Sequence, residues 1–439
     1  MNIKDDSRKI QKGDIFVALN KIHDGHDYIN DAIKKGASKI IAQKGLYEVE
    51  TIIVNDTHKY LVDYLKENYY DKIKNLKLIG MTGTNGKTTT CFLIYQALNK
   101  SNIKCAYIGT IGFYLEDKVK DLSNTTPDIL EIYELLLECS EKGYEYVVME
   151  TSSQALDMHR LDGLKFEYGI FSNLTPDHLD YHKSMDNYVK AKQKLFSLVN
   201  NKTFVNIDDD YKNYFIGNNT ITYGFNDSNY ILTDFEINLN GSKFKVNNEE
   251  YKTSLIGKHN LYNVLVVIAL LNEMNIKNIK EIISSINPPK GRMDIIKKND
   301  NLIIVDYAHT EDAVEKIIKT VRELNPNNIF TIIGCGGNRD KTKRPVIANI
   351  ACSLSDKVIF TSDNPRGEDP NEIIADMLHN IDKKNYETII NREKAIIKGV
   401  QMISKNDILL VLGKGHEDYQ IIGDKRYKFD DKEVILRNI

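Results

Sequence analysis

Short apolar runs alternate with longer stretches of helical spacing along most of the chain. Asp14–Leu19 (DIFVAL) reads as a strand, Tyr28–Gly36 as a helix, and Ser38–Ala42 as a second strand. Leu76–Gly80 is a short apolar run that enters a glycine-rich turn, and a helical pattern follows over Thr88–Lys100. Glu145–Met149 and Tyr168–Phe171 are further strands separated by helical stretches, so a mostly parallel sheet is expected. Asn287-Pro288-Pro289-Lys290-Gly291 is the strongest breaker cluster and marks a domain boundary. Beyond it lie four apolar runs, Leu302–Val305, Ile329–Ile333, Val358–Phe360 and Ile408–Leu412, with helical segments between them. The fold class is therefore α/β, with a second α/β layer structure after the boundary. Ligands in open parallel sheets bind beyond the carboxyl ends of the strands, so the residues after these runs are the first candidates for a site.

Composition narrows the class without naming a chemistry. The 439 residues correspond to about three domains of ordinary size. Lys+Arg 59 against Asp+Glu 62 leaves a net charge of −3, which argues against a general nucleic-acid binder. The longest uninterrupted apolar run, Val264–Leu271, is far short of the roughly 20 residues of a membrane helix, so no membrane insertion is expected. Met1–Ile10 has no apolar segment of the signal-peptide kind, and a cytoplasmic location is expected. The five cysteines are odd in number and lack C-x-x-C spacing, as buried reduced thiols would.

The first candidate chemistry is a phosphate loop. Gly80-Met81-Thr82-Gly83-Thr84-Asn85-Gly86-Lys87-Thr88-Thr89 stands between a strand and a helix, the context in which backbone N–H groups and a helix start can face phosphates. Lys87 can neutralise phosphate charge and the Thr88 hydroxyl can ligate Mg²⁺. The spacing is G-x-x-G-x-x-G-K-T rather than the stricter G-x-x-x-x-G-K, because Met81 falls where the first glycine would stand. Nucleotide binding follows; the use of the nucleotide does not.

Two strand ends supply acidic and imidazole groups. Glu150 closes the Glu145–Met149 run, where phosphate-loop proteins keep a carboxylate for Mg²⁺. Asn173-Leu174-Thr175-Pro176-Asp177-His178-Leu179-Asp180 follows the next strand and places a histidine between carboxylates, a candidate for a second metal position.

Taken together, these motifs carry a family resemblance. T-G-T-N-G-K-T-T at Thr82–Thr89, E-T-S-S-Q-A-L at Glu150–Leu156, N-L-T-P-D-H-L-D-Y-H at Asn173–His182 and Y-V-K-A-K-Q-K-L-F at Tyr188–Phe196 resemble the ATP-dependent Mur ligases, and within them the MurE type. The likeness runs from Asp6–Leu19 and Asp24–Ile29 through Gly257–Asn263 and Gly291–Met293. It continues over Val305–Thr310, Cys335–Lys341, Asp363–Arg366 and Gly413–Gln420. It implies a three-domain architecture: 1–75 for the uridine nucleotide, 76–288 as a central P-loop ATPase, and 289–439 as a Rossmann-like amino-acid domain. It also implies a reaction, in which ATP phosphorylates a carboxylate of UDP-MurNAc-L-Ala-D-Glu and the amine of a diamino acid attacks the acyl phosphate. A monomer that takes only small-molecule substrates is expected.

The resemblance also assigns residues. Gly83, Thr84, Asn85, Gly86, Lys87, Thr88, Thr89, Asn260, Arg292 and His309 would bind ATP. Ser7, Asn124, Thr125, Thr126, Ser152 and Arg160 occupy the contact positions for UDP-MurNAc-dipeptide. Thr88, Glu150, His178 and Lys192 would serve Mg²⁺, the last as a carbamate (N6-carboxylysine) formed with CO₂; Lys87, Glu150, His178 and Lys192 form the catalytic set. Read from its neighbours alone, Lys192 in Ala191-Lys192-Gln193-Lys194 is a solvated helical charge, and only the resemblance argues otherwise. Arg339, Asp363, Asn364, Pro365, Arg366, Gly413 and Glu417 would bind the incoming amino acid. D-N-P-R looks like the signature for meso-diaminopimelate, whose second carboxylate a planar guanidinium can grip with two hydrogen bonds. Thr151 and Asn338 depart from the usual pattern, replacing a small apolar residue and an Asp. The alternatives are a lysine-adding, other Mur or folylpolyglutamate-type ligase and, in another class, a nucleotide-dependent switch, although no N-K-x-D guanine signature is present.

Overall fold

The run at Leu76–Gly80 folds as strand Lys77–Thr82, buried from Leu78 onward, and the helix after it spans Lys87–Lys100. These and the other elements come from a computed structural model that describes residues 1–20, 23–238, 240–298 and 301–439. Lys77–Thr82 is central in a parallel set ordered Thr220–Gly224, Val199–Asn206, Phe166–Phe171, Lys77–Thr82, Tyr146–Glu150 and Cys105–Gly109. Its register pairs Met81 with Glu150 on one side and Thr82 with Phe171 on the other. Three strands thus end at one edge, and the segments that follow them emerge side by side. Two short antiparallel strands, Gly112–Tyr114 and Lys118–Lys120, extend this sheet at the Cys105–Gly109 edge.

The chain divides into two compact units, one of Met1–Tyr223 with Asp227–Asn229 and one of Tyr230–Ile439 with Gly224–Asn226. The first also holds a four-stranded parallel sheet of Ile3–Lys4, Ile15–Val17, Lys39–Ala42 and Glu50–Ile53. Helix Thr57–Ile73 follows, and its Leu61 and Leu65 share one core with Ile132 and Leu136 of helix Ile129–Glu141. The expected helix at Tyr28–Gly36 resolves into a 3₁₀ turn, Gly25–Tyr28, and a helix, Ile29–Lys34.

In the second unit, Tyr230–Asn238, Gly241–Val246 and Glu249–Thr253 form an antiparallel meander. The first and last are polar and mostly half-buried or exposed, whereas Gly241–Val246 between them buries Ser242, Phe244 and Val246; none carries a sustained apolar run like those that mark the other strands. A six-stranded sheet then runs Asp294–Lys298, Asn301–Asp306, Ile408–Leu412, Ile329–Ile333, Lys357–Phe360, Tyr386–Thr388, parallel except for its first strand. Helices Glu311–Arg322, Lys343–Leu354 and Pro370–Met377 contribute to the core on one face, and Arg392–Met402 and Asp431–Leu436 to that on the other. The four strands expected here are present, so the layered reading holds. Cys91, Cys105, Cys139 and Cys352 are buried free thiols, and Cys335 is half-buried. No helix among the described residues is long and apolar enough to cross a membrane.

One ion pair secures the last helix. Arg392 donates through Nε and Nη2 to Asp431 at 2.7 and 2.6 Å, and through Nη2 to the Leu412 carbonyl at 3.0 Å; both side chains are fully buried. Asp431→Ala would strand a buried guanidinium and is expected to cost about 3–5 kcal/mol, whereas Arg392→Met/Asp431→Leu should cost much less. Chemical denaturation of the two variants checks this; equal losses would contradict it.

Candidate active site

The loop after Lys77–Thr82 has the conformation its glycines permit. At Gly83 (φ +148°) an added Cβ would lie 2.0 Å from Ser172 Oγ, so no side chain fits, and Gly86 caps the following helix at φ +88°. The loop is tied to the segment after Phe166–Phe171. Thr84 N–H donates to the Asn173 carbonyl at 2.8 Å, Asn85 N–H to Asn173 Oδ1 at 2.9 Å, and Ser172 Oγ to the Asn85 carbonyl at 2.7 Å. Lys87 Nζ folds back onto the carbonyls of Gly83 and Thr84 at 2.9 and 3.0 Å. Thr88 and Thr89 are buried in the first helical turn, whose leading N–H groups lack intrahelical acceptors and suit an anion.

Glu150 is buried at the neighbouring strand end with both oxygens engaged. Oε1 accepts from Tyr107 OH at 2.5 Å and Thr110 N–H at 2.8 Å; Oε2 accepts from Thr88 Oγ1 at 2.9 Å and Thr110 Oγ1 at 3.2 Å. The hydroxyl and carboxylate expected to share Mg²⁺ are thus adjacent. Thr151, the departure noted above, donates its hydroxyl to the Met81 carbonyl at 3.0 Å, so the extra polar atom is satisfied in the interior.

Lys192 contradicts the solvated reading of its local sequence. Helix Met185–Ser197 buries Tyr188, Ala191, Lys192 and Leu195, so the lysine occupies the apolar face at helical spacing. Its Nζ donates to the Gly83 carbonyl at 2.8 Å and lies 4.4 Å from the Tyr188 ring centroid. Burial, reinforced by Lys87 and opposed by Asp177, holds its pKa well below the usual lysine range. His178 is half-exposed at φ +53°, with Nε2 3.5 Å from Asp177 Oδ2. Partial burial lowers its pKa against the pull of Asp177, so the neutral, metal-competent imidazole is favoured. Among the described residues no three His, Cys, Asp or Glu side chains form a metal cage, so Mg²⁺ here would draw further ligands from phosphate and water.

The candidate dipeptide contacts gather in part. Thr125 Oγ1 is 3.0 Å from Thr110 Oγ1, and Thr126 Oγ1 donates to the Glu150 carbonyl at 2.7 Å and accepts from Ser152 N–H at 3.0 Å. Arg160 donates to the Thr126 carbonyl at 2.8 Å and pairs with Asp128 at 3.0 Å. Ser7 is buried in the 3₁₀ turn Ser7–Lys9, and Asn124 is exposed with its amide on Ser123 Oγ; among the described residues neither side chain hydrogen-bonds to this group.

In the second unit, Arg292 and His309 converge on Tyr307. The guanidinium carbon lies 4.8 Å from the Tyr307 ring centroid, and the His309 ring packs edge-on to it at 4.6 Å. Arg292 Nε is buried without a hydrogen bond. Asn260 is buried in helix Lys258–Glu273, with its amide bonded to the Ile256 carbonyl and Asn263.

The amino-acid residues assemble at the carboxyl ends of the six-stranded sheet. Asn364 Nδ2 and Lys414 Nζ both donate to Glu417 Oε2, at 2.7 and 2.9 Å, and Lys414 also reaches Asn364 Oδ1 at 3.2 Å. Gly413 abuts Asp363, whose Oδ2 would lie 2.7 Å from an added Cβ. Pro365 carries the chain into Arg366, at φ +51°, whose Nη1 donates to the Gly337 carbonyl at 3.0 Å; Arg339, on the neighbouring loop, is exposed. Tyr107, Thr110, Tyr188, Tyr307 and Lys414 were not singled out from sequence. Tyr188, Tyr307 and Lys414 lie inside motifs that were, whereas Tyr107 and Thr110 carry no local signal.

The Mur ligase middle domain matches residues 81–271, and the Mur ligase, glutamate ligase domain matches 291–415. UDP-N-acetylmuramoyl-L-alanyl-D-glutamate--2,6-diaminopimelate ligase of Clostridium perfringens is 42% identical over 99% of this chain and 94% of its own length. The protein of that name from Fusobacterium nucleatum is 41% identical over 100% and 93%. A solved structure bearing the same name superposes with a TM-score of 0.72 at 30% identity, covering 100% of this chain and 94% of that one. MurF ligase from Thermotoga maritima, solved with ADP, shares the fold at a TM-score of 0.65 and 18% identity over 94% and 93%. With a strand-end phosphate loop, a buried carboxylate beside it and relatives alike over nearly their whole length, the chain belongs to the Mur ligase family.

Proposed function

We propose that the chain is an ATP-dependent amide ligase that adds meso-diaminopimelate to UDP-MurNAc-L-Ala-D-Glu through an acyl phosphate, in the synthesis of peptidoglycan precursors. Residues 1–75 would take the uridine nucleotide, 76–288 ATP, and 289–439 the amino acid. A cytoplasmic location and a monomeric state belong to the same reading.

A carboxylate is a poor electrophile, and its phosphorylation supplies a leaving group; the transfer asks for alignment and charge neutralisation more than covalent help. Lys87 and the start of helix Lys87–Lys100 would receive the phosphates. Thr88, Glu150 and His178 would hold Mg²⁺, with carbamylated Lys192 as an anionic support; the ion would supply the charge that lets a phosphate and a carboxylate approach. Lys192 suits carbamylation because its buried Nζ, beside Lys87, favours the neutral amine that adds to CO₂.

The observation that carries the amino-acid choice is the group formed by Asn364, Arg366 and Glu417. Asn364 and Lys414 occupy Glu417 Oε2, which leaves Oε1 to accept from an amine, while Arg366 offers a guanidinium for a second carboxylate. Lysine has no such carboxylate. A lysine-adding ligase is the rival reading, and Arg366 disfavours it.

Phosphate release with meso-diaminopimelate, L-lysine, L-ornithine and lanthionine tests this. Turnover is expected only when UDP-MurNAc-dipeptide and an accepted amino acid are both present, with diaminopimelate preferred. Arg366→Ala should raise the KM for diaminopimelate roughly ten- to hundredfold, the worth of charged hydrogen bonds. Faster turnover of lysine by the unaltered protein would overturn the assignment, and nucleotide hydrolysis without either substrate would favour a switch.

Lys192→Ala and Lys192→Arg should abolish turnover, with short carboxylic acids restoring part of it in the alanine variant. Because the Lys192 pKa is lowered, the neutral amine persists at lower pH than in an ordinary lysine. Activation by bicarbonate should therefore extend to lower pH than an ordinary lysine would allow, and fade as pH falls through that lowered value. Wild-type turnover in either variant would remove the role.

A further inference from the structure

Two loops at the carboxyl ends of the six-stranded sheet carry the candidate guanidinium groups, Arg339 on residues 334–341 and Arg366 on 361–368. They lie against one another with no room to spare. Gly337 N–H donates to the Asn364 carbonyl at 2.9 Å, and a Cβ on Gly337 would fall 1.9 Å from the Pro365 oxygen. A Cβ on Gly336 would lie 2.9 Å from Arg366 Nη1 and 3.7 Å from Arg339 Cγ, so both arginines border the same glycine.

Beneath the loops sits Arg344, in the first turn of helix Lys343–Leu354 and 1% exposed. Its Nη1 donates to Glu368 Oε2 at 3.0 Å and Asp376 Oδ2 at 2.8 Å; its Nη2 donates to Glu368 Oε1 at 3.0 Å and the Gly336 carbonyl at 3.3 Å. Glu368 Oε1 also accepts the backbone N–H of Asn338, and Lys341 Nζ lies 3.4 Å from Oε2. One guanidinium and one carboxylate thus touch both loops, next to Arg339 on one and two residues beyond Arg366 on the other. None of these groups faces the amino acid itself in the reading above.

We propose that Arg344 and Glu368 form a clamp that sets the spacing of Arg339 and Arg366, and thereby the preference for an amino acid with a second carboxylate over lysine. They are positioning residues, acting through the two arginines, and the inference rests on the diaminopimelate reading. Both Glu368 oxygens receive donors, so an amide at this position must turn its NH₂ toward Arg344 or the Asn338 N–H in either orientation. The Arg344 bonds, with the Asn338 N–H, hold the Glu368 pKa at about 2, so the clamp stays charged across any assay range. Asp376 supplies a control, because it pairs with Arg344 while hydrogen-bonding to neither loop.

The test is kcat/KM for meso-diaminopimelate and for L-lysine in the unaltered enzyme and in Glu368→Gln, Asp376→Asn, Arg366→Ala and Arg366→Ala/Glu368→Gln. Glu368→Gln should reduce the diaminopimelate-to-lysine ratio about tenfold or more, through KM for diaminopimelate with kcat little changed. Asp376→Asn should lower the unfolding temperature yet keep the ratio. In the Arg366→Ala background Glu368→Gln should cost less selectivity than it does in the unaltered enzyme, since part of its effect passes through that arginine and only the part through Arg339 remains. If Glu368→Gln does not fold, Arg344→Lys, which keeps the charge but not the fork, reads the same ratio. An unaltered enzyme with no preference for diaminopimelate would overturn the underlying assignment. A preference that survives in Glu368→Gln, or a loss shared equally by both amino acids, would overturn the clamp alone.

Discussion

The nucleotide half depends on one register: Lys77–Thr82 lies between Tyr146–Glu150 and Phe166–Phe171 so that Met81 faces Glu150 and Thr82 faces Phe171. Parallel strands held this way deliver their following segments to one edge. The phosphate loop, the Glu150 carboxylate and the 172–178 segment meet there without any long-range device. A slip of one residue would turn Glu150 to the other face of the sheet and separate it from Thr88.

Buried charge is the second constraint. Lys192, Arg344, Arg392 and Lys414 are all essentially inaccessible, and each stands against a different compensation. Arg392 has a buried carboxylate, Arg344 has two carboxylates and a carbonyl, and Lys414 has Glu417 and Asn364. Lys192 has a carbonyl and an aromatic face, with Lys87 acting against it. Desolvation of an ammonium without a carboxylate partner favours its neutral form, so this lysine differs chemically from the other three cations.

The phosphate loop, its helix and the four strands of the C-terminal sheet were legible because apolar runs and a glycine-lysine-threonine turn are local signals. The antiparallel meander from Tyr230 to Thr253 was not, since its outer strands are polar and largely exposed or half-buried, and its middle strand turns inward only Ser242, Phe244 and Val246, too few apolar positions to read. Lys192 was misread by its neighbours for a related reason: charged residues flank it on the exposed sides of the helix, and the helical face it shares with Tyr188 and Leu195 emerges only on folding. Thr151 and Asn338 read as departures, and the structure accommodates both, one by a hydroxyl bond to Met81 and the other by a left-handed backbone that asparagine tolerates.

The order of motifs, their residue types and the strand or helix each belongs to were determined by the sequence alone, because composition and spacing act within a few residues of one another. Which donors surround Glu150, which side of its helix Lys192 occupies, and that Arg344 and Glu368 join the loops bearing Arg339 and Arg366 were decided only by tertiary structure. Those contacts join residues far apart in the chain, and their energies depend on exclusion of water, which no local pattern records.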